Sequence, residues 1–403
     1  MKKLIALLSL PFLVLTAQGQ HTYREISLPA LMKKHQQDAS NMIIVDVRSD
    51  AEYYDSSSRY KNGNIGRIKG VQHIDVGDLE SKPESLKLLE QYKDKEVYLI
   101  CSHSYRSRNA SNILMRNGFK NVNNVQGGMS EWYRRYEELA PYRGSFETSV
   151  RYTNTSGAQL YEMLSGNSNI LLIGINVIPN SFFDSANMKY LGMTPTFKKA
   201  IFFNNSDSAK ILELAKKNAG KPLVLFNNYS FGAAEMADYL ANQGIKNVQY
   251  LVGGTYYFLE YVANNDLFEK AARLESSNNN IKFISPIYFC NRLAGKEGTA
   301  LIDVRHDTLF NKLNRGIKSE YKHLKNALNF PATKGAAEFE KTYPDKKTAY
   351  ILVSRGGNDG LELADELSKK GYNIHWMLGG IGRYDWHTAN VETLNCKDHL
   401  IRL

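Results

Sequence analysis

The pair Gly127-Gly128 returns as Gly253-Gly254 and again as Gly379-Gly380, 126 residues further along each time. The surroundings match too: "VQGGMSEW", "LVGGTYYF" and "MLGGIGRY". A period of this length is that of a whole domain, too long for a solenoid repeat, so the chain should be one architectural unit written three times.

Each copy shows the same succession of patterns. An apolar run, "VYLI" (97–100), "LVLF" (223–226) or "YILV" (350–353), leads through a polar loop into a helical pattern. That pattern closes on Gly118, Gly244 or Gly371, where a left-handed residue stops a helix at little cost. A short strand then enters the Gly-Gly pair. Earlier in each copy lies another apolar run, "MIIVDVR" (42–48), "ILLIGIN" (170–176) or "ALIDVR" (300–305). Strands that are apolar throughout and alternate with helices belong to a parallel sheet covered on both faces, hence an α/β fold. The turn-rich stretches "PYRGS" (141–145) and "ESSNNN" (275–280) interrupt the periodicity and place the domains at 21–140, 146–272 and 281–403.

Ahead of the first unit, residues 1–19 read as a secretory signal. Lys2 and Lys3 precede an apolar run from Leu4 to Thr16, and the small Ala17 and Gly19 suit cleavage before Gln20. The run is shorter than the roughly 20 residues that span a bilayer, and no later segment is apolar enough to span. The mature protein is expected to be exported, to the periplasm where the cell has two membranes. Losing Lys2 and Lys3 lowers the formal charge from +10 to +8. The remaining basic residues are scattered, without the aromatic-interleaved stripe of a nucleic-acid surface, so small anions are the better-matched partners. The nine histidines show no ligand spacing with Cys, Asp or Glu, and neither a metal nor another cofactor is indicated.

The first unit carries four motifs in order: "DVRSDAEY" (46–53), "GRIKGVQHI" (66–74), "CSHSYRS" (101–107) and "GGMSEW" (127–132). Together they resemble the rhodanese superfamily, with its Asp-Val-Arg strand end, Gly-His-Ile segment, cysteine loop and Gly-Gly closure. The third unit repeats part of this as "DVRHD" (303–307), "KHLKNALNFP" (322–331) and "LGGIGRYDW", whereas the second keeps only the frame. The resemblance implies three tandem rhodanese-like domains, of which only the first retains the cysteine.

The chemistry of Cys101 can also be read from its place. A loop leaving a parallel strand for a helix sits at the carboxyl edge of the sheet, where ligands bind in α/β folds. Amide groups and the positive helix end converge there and favour an anion, a thiolate included. The resemblance implies that Cys101 takes sulfane sulfur from thiosulfate or a persulfide donor, holds it as a persulfide, and passes it to a thiol or cyanide. It further implies a cradle made by Ser102, His103, Ser104, Tyr105 and Arg106, with Arg106 holding the donor's anionic group. Ser104 stands at the family's usual loop glycine and Arg67 at its usual histidine, where Arg67 would face the donor. Four residues lie between Cys101 and Arg106, against five in the phosphatases and arsenate reductases that share this fold, which favours sulfur transfer. Asp46, Arg48 and Glu52 read as a structural charge network, Trp132 as packing behind the loop, and His103 as a solvated side chain.

Alignment on the helix-closing glycines sets Asn227 and Ser354 opposite Cys101, and Asp359 opposite Arg106. Neither Asn nor Ser can carry sulfur, so the second and third units are expected to scaffold the first or to dock a protein partner. The alternative for the whole chain is a binding or assembly protein that keeps the fold without the chemistry. Cys290 and Cys396 flank the third unit and can pair in an oxidising compartment if their Cα atoms come within about 7 Å.

Overall fold

The computed structural model describes residues 23–58, 61–166, 169–175, 193–227, 232–311, 322–356, 360–390 and 396–402. The expected leader at 1–19 and the position of Asp359 lie outside them. Three five-stranded sheets, parallel throughout, succeed one another along the chain. The first runs in space Arg24–Ser27, Asn121–Gln126, Glu96–Ile100, Met42–Asp46, Gln72–His73. The second runs Thr153–Thr155, Val248–Leu251, Leu223–Phe226, Leu171–Ile175, Ile201–Phe203. The third runs Lys282–Ile284, Asn373–Met377, Ala349–Val353, Thr299–Asp303, Leu328–Asn329. Counted along the chain within each copy, the spatial order is identical: first, last, fourth, second, third. The Gly-Gly period is a period of fold.

Burial on both faces accounts for the uninterrupted apolar strands. In the first sheet, Ile44, Tyr98 and Ile100 enter a core with Leu28, Leu31 and Met32 of helix Leu28–Asp38. Their neighbours Val45, Val97 and Leu99 point the other way, to Ala110, Ile113 and Leu114 of helix Tyr105–Arg116. The cores do not stop at unit boundaries. One is continuous from Tyr133 and Tyr152 to Leu240 and Tyr250, and the next from Phe226 and Phe258 to Phe339 and Trp376. The three units are therefore fused by apolar packing.

The Gly-Gly pair marks the repeat because it docks one piece of backbone on another. Gly128, Gly254 and Gly380 all have positive φ. A Cβ on them would fall 2.1, 1.9 and 2.3 Å from the carbonyl oxygens of Cys101, Asn227 and Ser354 respectively. The amides just beyond, of Met129, Thr255 and Ile381, donate to those same oxygens at 2.8, 2.9 and 2.9 Å. No side chain fits there, and glycine alone adopts the backbone freely. The contact also places Asn227 and Ser354 where Cys101 stands in the first unit.

Short antiparallel ladders tie segments outside the sheets. Phe146–Glu147 pairs with Arg67–Ile68, and Leu400–Arg402 returns to Lys322–Leu324. Cys290 and Cys396 form a disulfide, with Cα atoms 5.3 Å apart across 106 residues of sequence. Cys101 is left as the free cysteine, and it is buried. Among the described residues no helix is long and apolar enough to cross a membrane.

Candidate active site

Cys101 follows directly on strand Glu96–Ile100, and helix Tyr105–Arg116 begins four residues later. The Gly-Gly turn holds the loop from beneath: Met129 N donates to Cys101 O at 2.8 Å and Ser130 N to Ser102 O at 3.1 Å. In a trans peptide the N–H points opposite to the C=O. With both carbonyls turned down onto the turn, the amides of Ser102 and His103 are aimed the other way, above the loop. They add to the unsatisfied first-turn amides of the following helix. The loop thus turns its amides to the side away from the Gly-Gly turn, which is what holding an anionic sulfur group requires.

Ser104 shows why a serine can stand at the expected glycine. Its φ is +75°, in the left-handed region, and its fully buried hydroxyl donates to Val125 O at 2.9 Å. A local hydrogen bond thus offsets a backbone conformation that disfavours side chains.

Arg106 does not point freely at an incoming anion. Its Nη2 lies 2.7 Å from Glu52 Oε1 and 2.8 Å from Ser102 Oγ, and its Nη1 contacts Glu52 Oε2. Glu52 is half-buried. Burial would raise its carboxyl, but Arg106, Ser49 and Arg48 hold it below the ordinary carboxylate range, so it stays ionised. Glu52 also caps its own helix with Ser49 through reciprocal hydrogen bonds. It therefore belongs to the loop's support rather than to a remote charge network. Asp46 and Arg48 do form a buried pair, with Nη2 2.7 Å from Oδ2, and Arg305 and Asp303 repeat it at 2.6 Å in the third unit.

Of the other cradle residues, Ser102 is buried under Arg106, while Tyr105 is 84% exposed at the mouth. Arg67 is directed elsewhere: Nε lies 2.8 Å from Glu147 Oε1, and Nη1 reaches Tyr53 O and Ser149 Oγ. His103 is exposed, as expected of a solvated side chain, and the surrounding protein with the cations Arg383, Arg134 and Arg106 lowers its imidazole below the ordinary value, so it is neutral near pH 7.

Arg134 and Arg383 belong to a buried charge cluster in which all three units meet. The helices after the Gly-Gly pairs supply Glu131 and Arg134, then Glu260, then Arg383 and His387. Arg134 contacts Glu131 and reaches both Glu260 oxygens, at 2.6 and 3.0 Å. His387 Nε2 lies 3.1 Å from Glu260 Oε1, and Arg383 stacks over Trp386 at 4.0 Å. Burial pushes His387 down to about 3, so the neutral ring donates Nε2–H to Glu260. Burial opposes the charge on Glu260, but Arg134, Arg383 and His387 hold its carboxyl well below the ordinary range. Glu131 and Arg383 lie within the Gly-Gly motifs, but no motif singles out Arg134, Glu260 or His387. The 126-residue register is the signal that finds them, since it sets Arg134 opposite Glu260, and Glu131 opposite Arg383.

Behind the thiol is a second group that the motifs do not single out. Ser107 Oγ lies 3.4 Å from Cys101 Sγ and 2.5 Å from Asn124 Oδ1, and Asn124 Nδ2 lies 2.6 Å from Glu25 Oε2.

Comparison with known proteins shows the family of the chain. The family model described as "Rhodanese-like domain" matches residues 28–135 and 288–386, together just over half of the chain. The Bacillus subtilis protein named "Putative sulfurtransferase YtwF" is 38% identical over 109 residues, covering 27% of this chain and 89% of that protein. A second protein of the same organism, "Putative sulfur carrier protein YrkF", is 34% identical over 122 residues, and the match spans 57% of its length. Among solved structures, a complex of EanB with hercynine is 14% identical over 90% of this chain and 96% of its own, with a TM-score of 0.27, too slight a likeness to carry an argument.

Proposed function

The chain belongs to the rhodanese-like domain family, and on that premise we propose that it is a sulfurtransferase working through a Cys101 persulfide. The Cys101 thiolate attacks the outer sulfur of thiosulfate or of a persulfide. A new S–S bond forms, the donor's S–S bond breaks, and sulfite or a thiolate leaves with the electron pair. A thiol or cyanide then attacks the outer sulfur and the Cys101 thiolate is released. The observation that carries this reading is the loop itself, in which a Gly-Gly turn fixes the carbonyls of Cys101 and Ser102 and turns the following amides to the opposite side. Transfer is confined to the first unit, because Asn227 and Ser354 occupy the same docking position in the others and cannot hold sulfur. Export is part of the proposal: the leader-like residues 1–19 favour it, and so does the Cys290–Cys396 disulfide, since such bonds persist in oxidising compartments.

One observation favours the alternative of a binding or assembly protein. Cys101 is only 1% exposed, so a donor must enter a closed loop. Intact-mass measurement after incubation with thiosulfate or a low-molecular-weight persulfide decides between them. A gain of one sulfur atom in the wild type, absent in Cys101→Ser, is the expected result. No gain with any donor, while Cys101 alkylates no faster than a free thiol, would leave the binding reading in its place.

A further inference from the structure

The line of hydrogen bonds behind Cys101 starts at a carboxylate, and that fixes every proton in it. Glu25 and Asn124 are paired register positions on neighbouring parallel strands. Arg108 lies 3.2 Å from the other oxygen of Glu25. Ser107 and Asn124 are fully buried. An ionised carboxylate only accepts hydrogen bonds, so the amide of Asn124 presents its NH2 to Glu25 and its oxygen to Ser107. The serine hydroxyl has one proton and three neighbours that can accept it, Asn124 Oδ1 at 2.5 Å, Ser104 O at 3.2 Å and Cys101 Sγ at 3.4 Å; the shortest contact takes it, so the proton lies between Ser107 Oγ and Asn124 Oδ1. What Ser107 turns toward Cys101 Sγ is therefore a lone pair. A thiol can donate into it, whereas a thiolate would face it without a proton in between.

We propose that Glu25 and Asn124 are positioning residues that set, through Ser107, the pH at which Cys101 becomes a nucleophile, by holding the serine as an acceptor and so restraining ionisation of the thiol. The loop amides and the helix start pull the other way. The sulfurtransferase reading supplies the purpose of the thiol, but the restraint itself does not depend on a sulfur donor. The charged groups around the thiol are already paired: Arg106 with Glu52, Arg48 with Asp46, and Glu131 with Arg134 under the Gly-Gly turn. His103, at the mouth, is neutral near pH 7. None of them is altered by the substitutions below.

The test is a titration of the thiolate's ultraviolet absorbance in the full chain, with Cys101→Ser as the blank, which requires no reagent to enter the loop. Asn124→Leu removes the nearest acceptor and leaves the Ser107 hydroxyl between the neutral Ser104 O at 3.2 Å and the thiolate, whose charge makes it the stronger acceptor. The ionisation midpoint should fall by roughly one pH unit or more, the tenfold gain expected of a charge-assisted hydrogen bond. Glu25→Gln, at an exposed position, allows the Asn124 amide to turn over and should move the midpoint the same way by less. In a Ser107→Ala background neither substitution should move it. A midpoint that stays or rises in these variants, or a shift that survives Ser107→Ala, overturns the proposal. If Asn124→Leu does not fold, Glu25→Gln with and without Ser107→Ala decides alone. A protein that titrates as expected yet takes up no sulfur would sink the transferase reading and leave the restraint standing.

Discussion

Arg106 and Glu52 close on each other across the mouth of the Cys101 loop, with Nη2 2.7 Å from Oε1 and Nη1 against Oε2. The pair fastens helix Asp50–Tyr53 to the start of helix Tyr105–Arg116, and it neutralises a half-buried carboxylate beside the place where an anionic donor must arrive.

Removing the arginine alone should therefore do two kinds of harm. Arg106→Ala deletes a cation and leaves Glu52 as an uncompensated acid at the mouth, so kcat/KM for thiosulfate-to-cyanide transfer should fall at least about tenfold, from a charge-assisted contact of roughly 1.5 to 3 kcal/mol. Adding Glu52→Gln removes the uncompensated acid and should restore part of the loss. Steady-state kinetics of the two single variants and the double variant measure this. A double variant no better than Arg106→Ala would mean that Glu52 plays no electrostatic part.

Ser104 has a different balance. Glycine at this position relieves the left-handed backbone but abandons the hydrogen bond to Val125 O, two terms of about 1 kcal/mol each that nearly cancel. Ser104→Gly should thus leave the urea midpoint close to wild type. Ser104→Val keeps the strain, loses the bond and adds a β-branch, and should cost about 2 to 4 kcal/mol. Equal stability of the two variants would contradict this account.

That position also shows how far the sequence could be read. The glycine slot was visible from the motif, and so were the Gly-Gly turns, the helix-closing glycines and the parallel character of the sheets, because each depends on local backbone geometry or on an uninterrupted apolar run; the spatial order of the strands was not, since it is set by pairings far apart in the chain. The carbonyl of Val125 that makes serine acceptable comes from another strand, 21 residues away, and no spacing rule reaches it. Glu52 is similar. Its motif was plain, but its partner Arg106 lies 54 residues on, and only the folded loop brings them together. Arg67 is the converse case: its column in the motif pointed to the donor, whereas the antiparallel pairing with Phe146–Glu147 draws its side chain to Glu147. The relay joins three elements: Ser107 closes the cysteine-loop motif, but nothing in the one-dimensional pattern set Asn124 and Glu25 apart or joined them to it.

The Cys290–Cys396 bridge should stabilise the third unit appreciably. Closing a loop of 106 residues restricts the unfolded chain by roughly 4 to 5 kcal/mol in the chain-entropy description. Denaturant unfolding with and without reductant, on Cys101→Ser protein so that no other thiol responds, should show a matching fall in stability. Cys396→Ser should reproduce it. Superimposable curves under both conditions would show that the bridge contributes nothing to the folded state.

The cluster joining the units should respond sharply to loss of its acid. Glu260 is 3% exposed and is shared by Arg134, His387 and Arg383. Glu260→Gln leaves two guanidinium groups with one carboxylate, and removing one partner from a buried ion pair costs about 3 to 5 kcal/mol. Because the cluster ties the units together, the loss should appear as a lower unfolding midpoint or as separate unfolding of the units by calorimetry. A transition unchanged in midpoint and shape would deny it that role.

The same cluster makes stability depend on pH in a window that belongs to histidine. His387 is fully buried and is pushed down to about 3 from an ordinary value of 6.5. Below 6.5 the unfolded chain takes up a proton that the folded chain refuses, and stability rises with pH wherever the unfolded state binds more protons. Folding should therefore weaken as the pH drops from 6.5, by on the order of 1 kcal/mol per pH unit for this residue. His375, pushed down to about 4 by burial with Lys282 nearby, acts in the same sense. Glu260, held well below its ordinary 4.5, adds its loss only at pH values under 4.5, where the unfolded carboxylate begins to protonate. Between 6.5 and 4.5 the histidines act against Glu275, which burial raises to about 7 so that the folded chain keeps a proton the unfolded chain has released; comparing His387→Gln with the wild type cancels that contribution and isolates His387. His387→Gln keeps a donor for Glu260 Oε1 but has no proton to gain, so the slope of unfolding free energy against pH across that interval should flatten by about the stated amount, with little change near pH 7. Urea titrations at several pH values supply the measurement, and a His387→Gln slope equal to that of the wild type would show that His387 is already protonated in the fold.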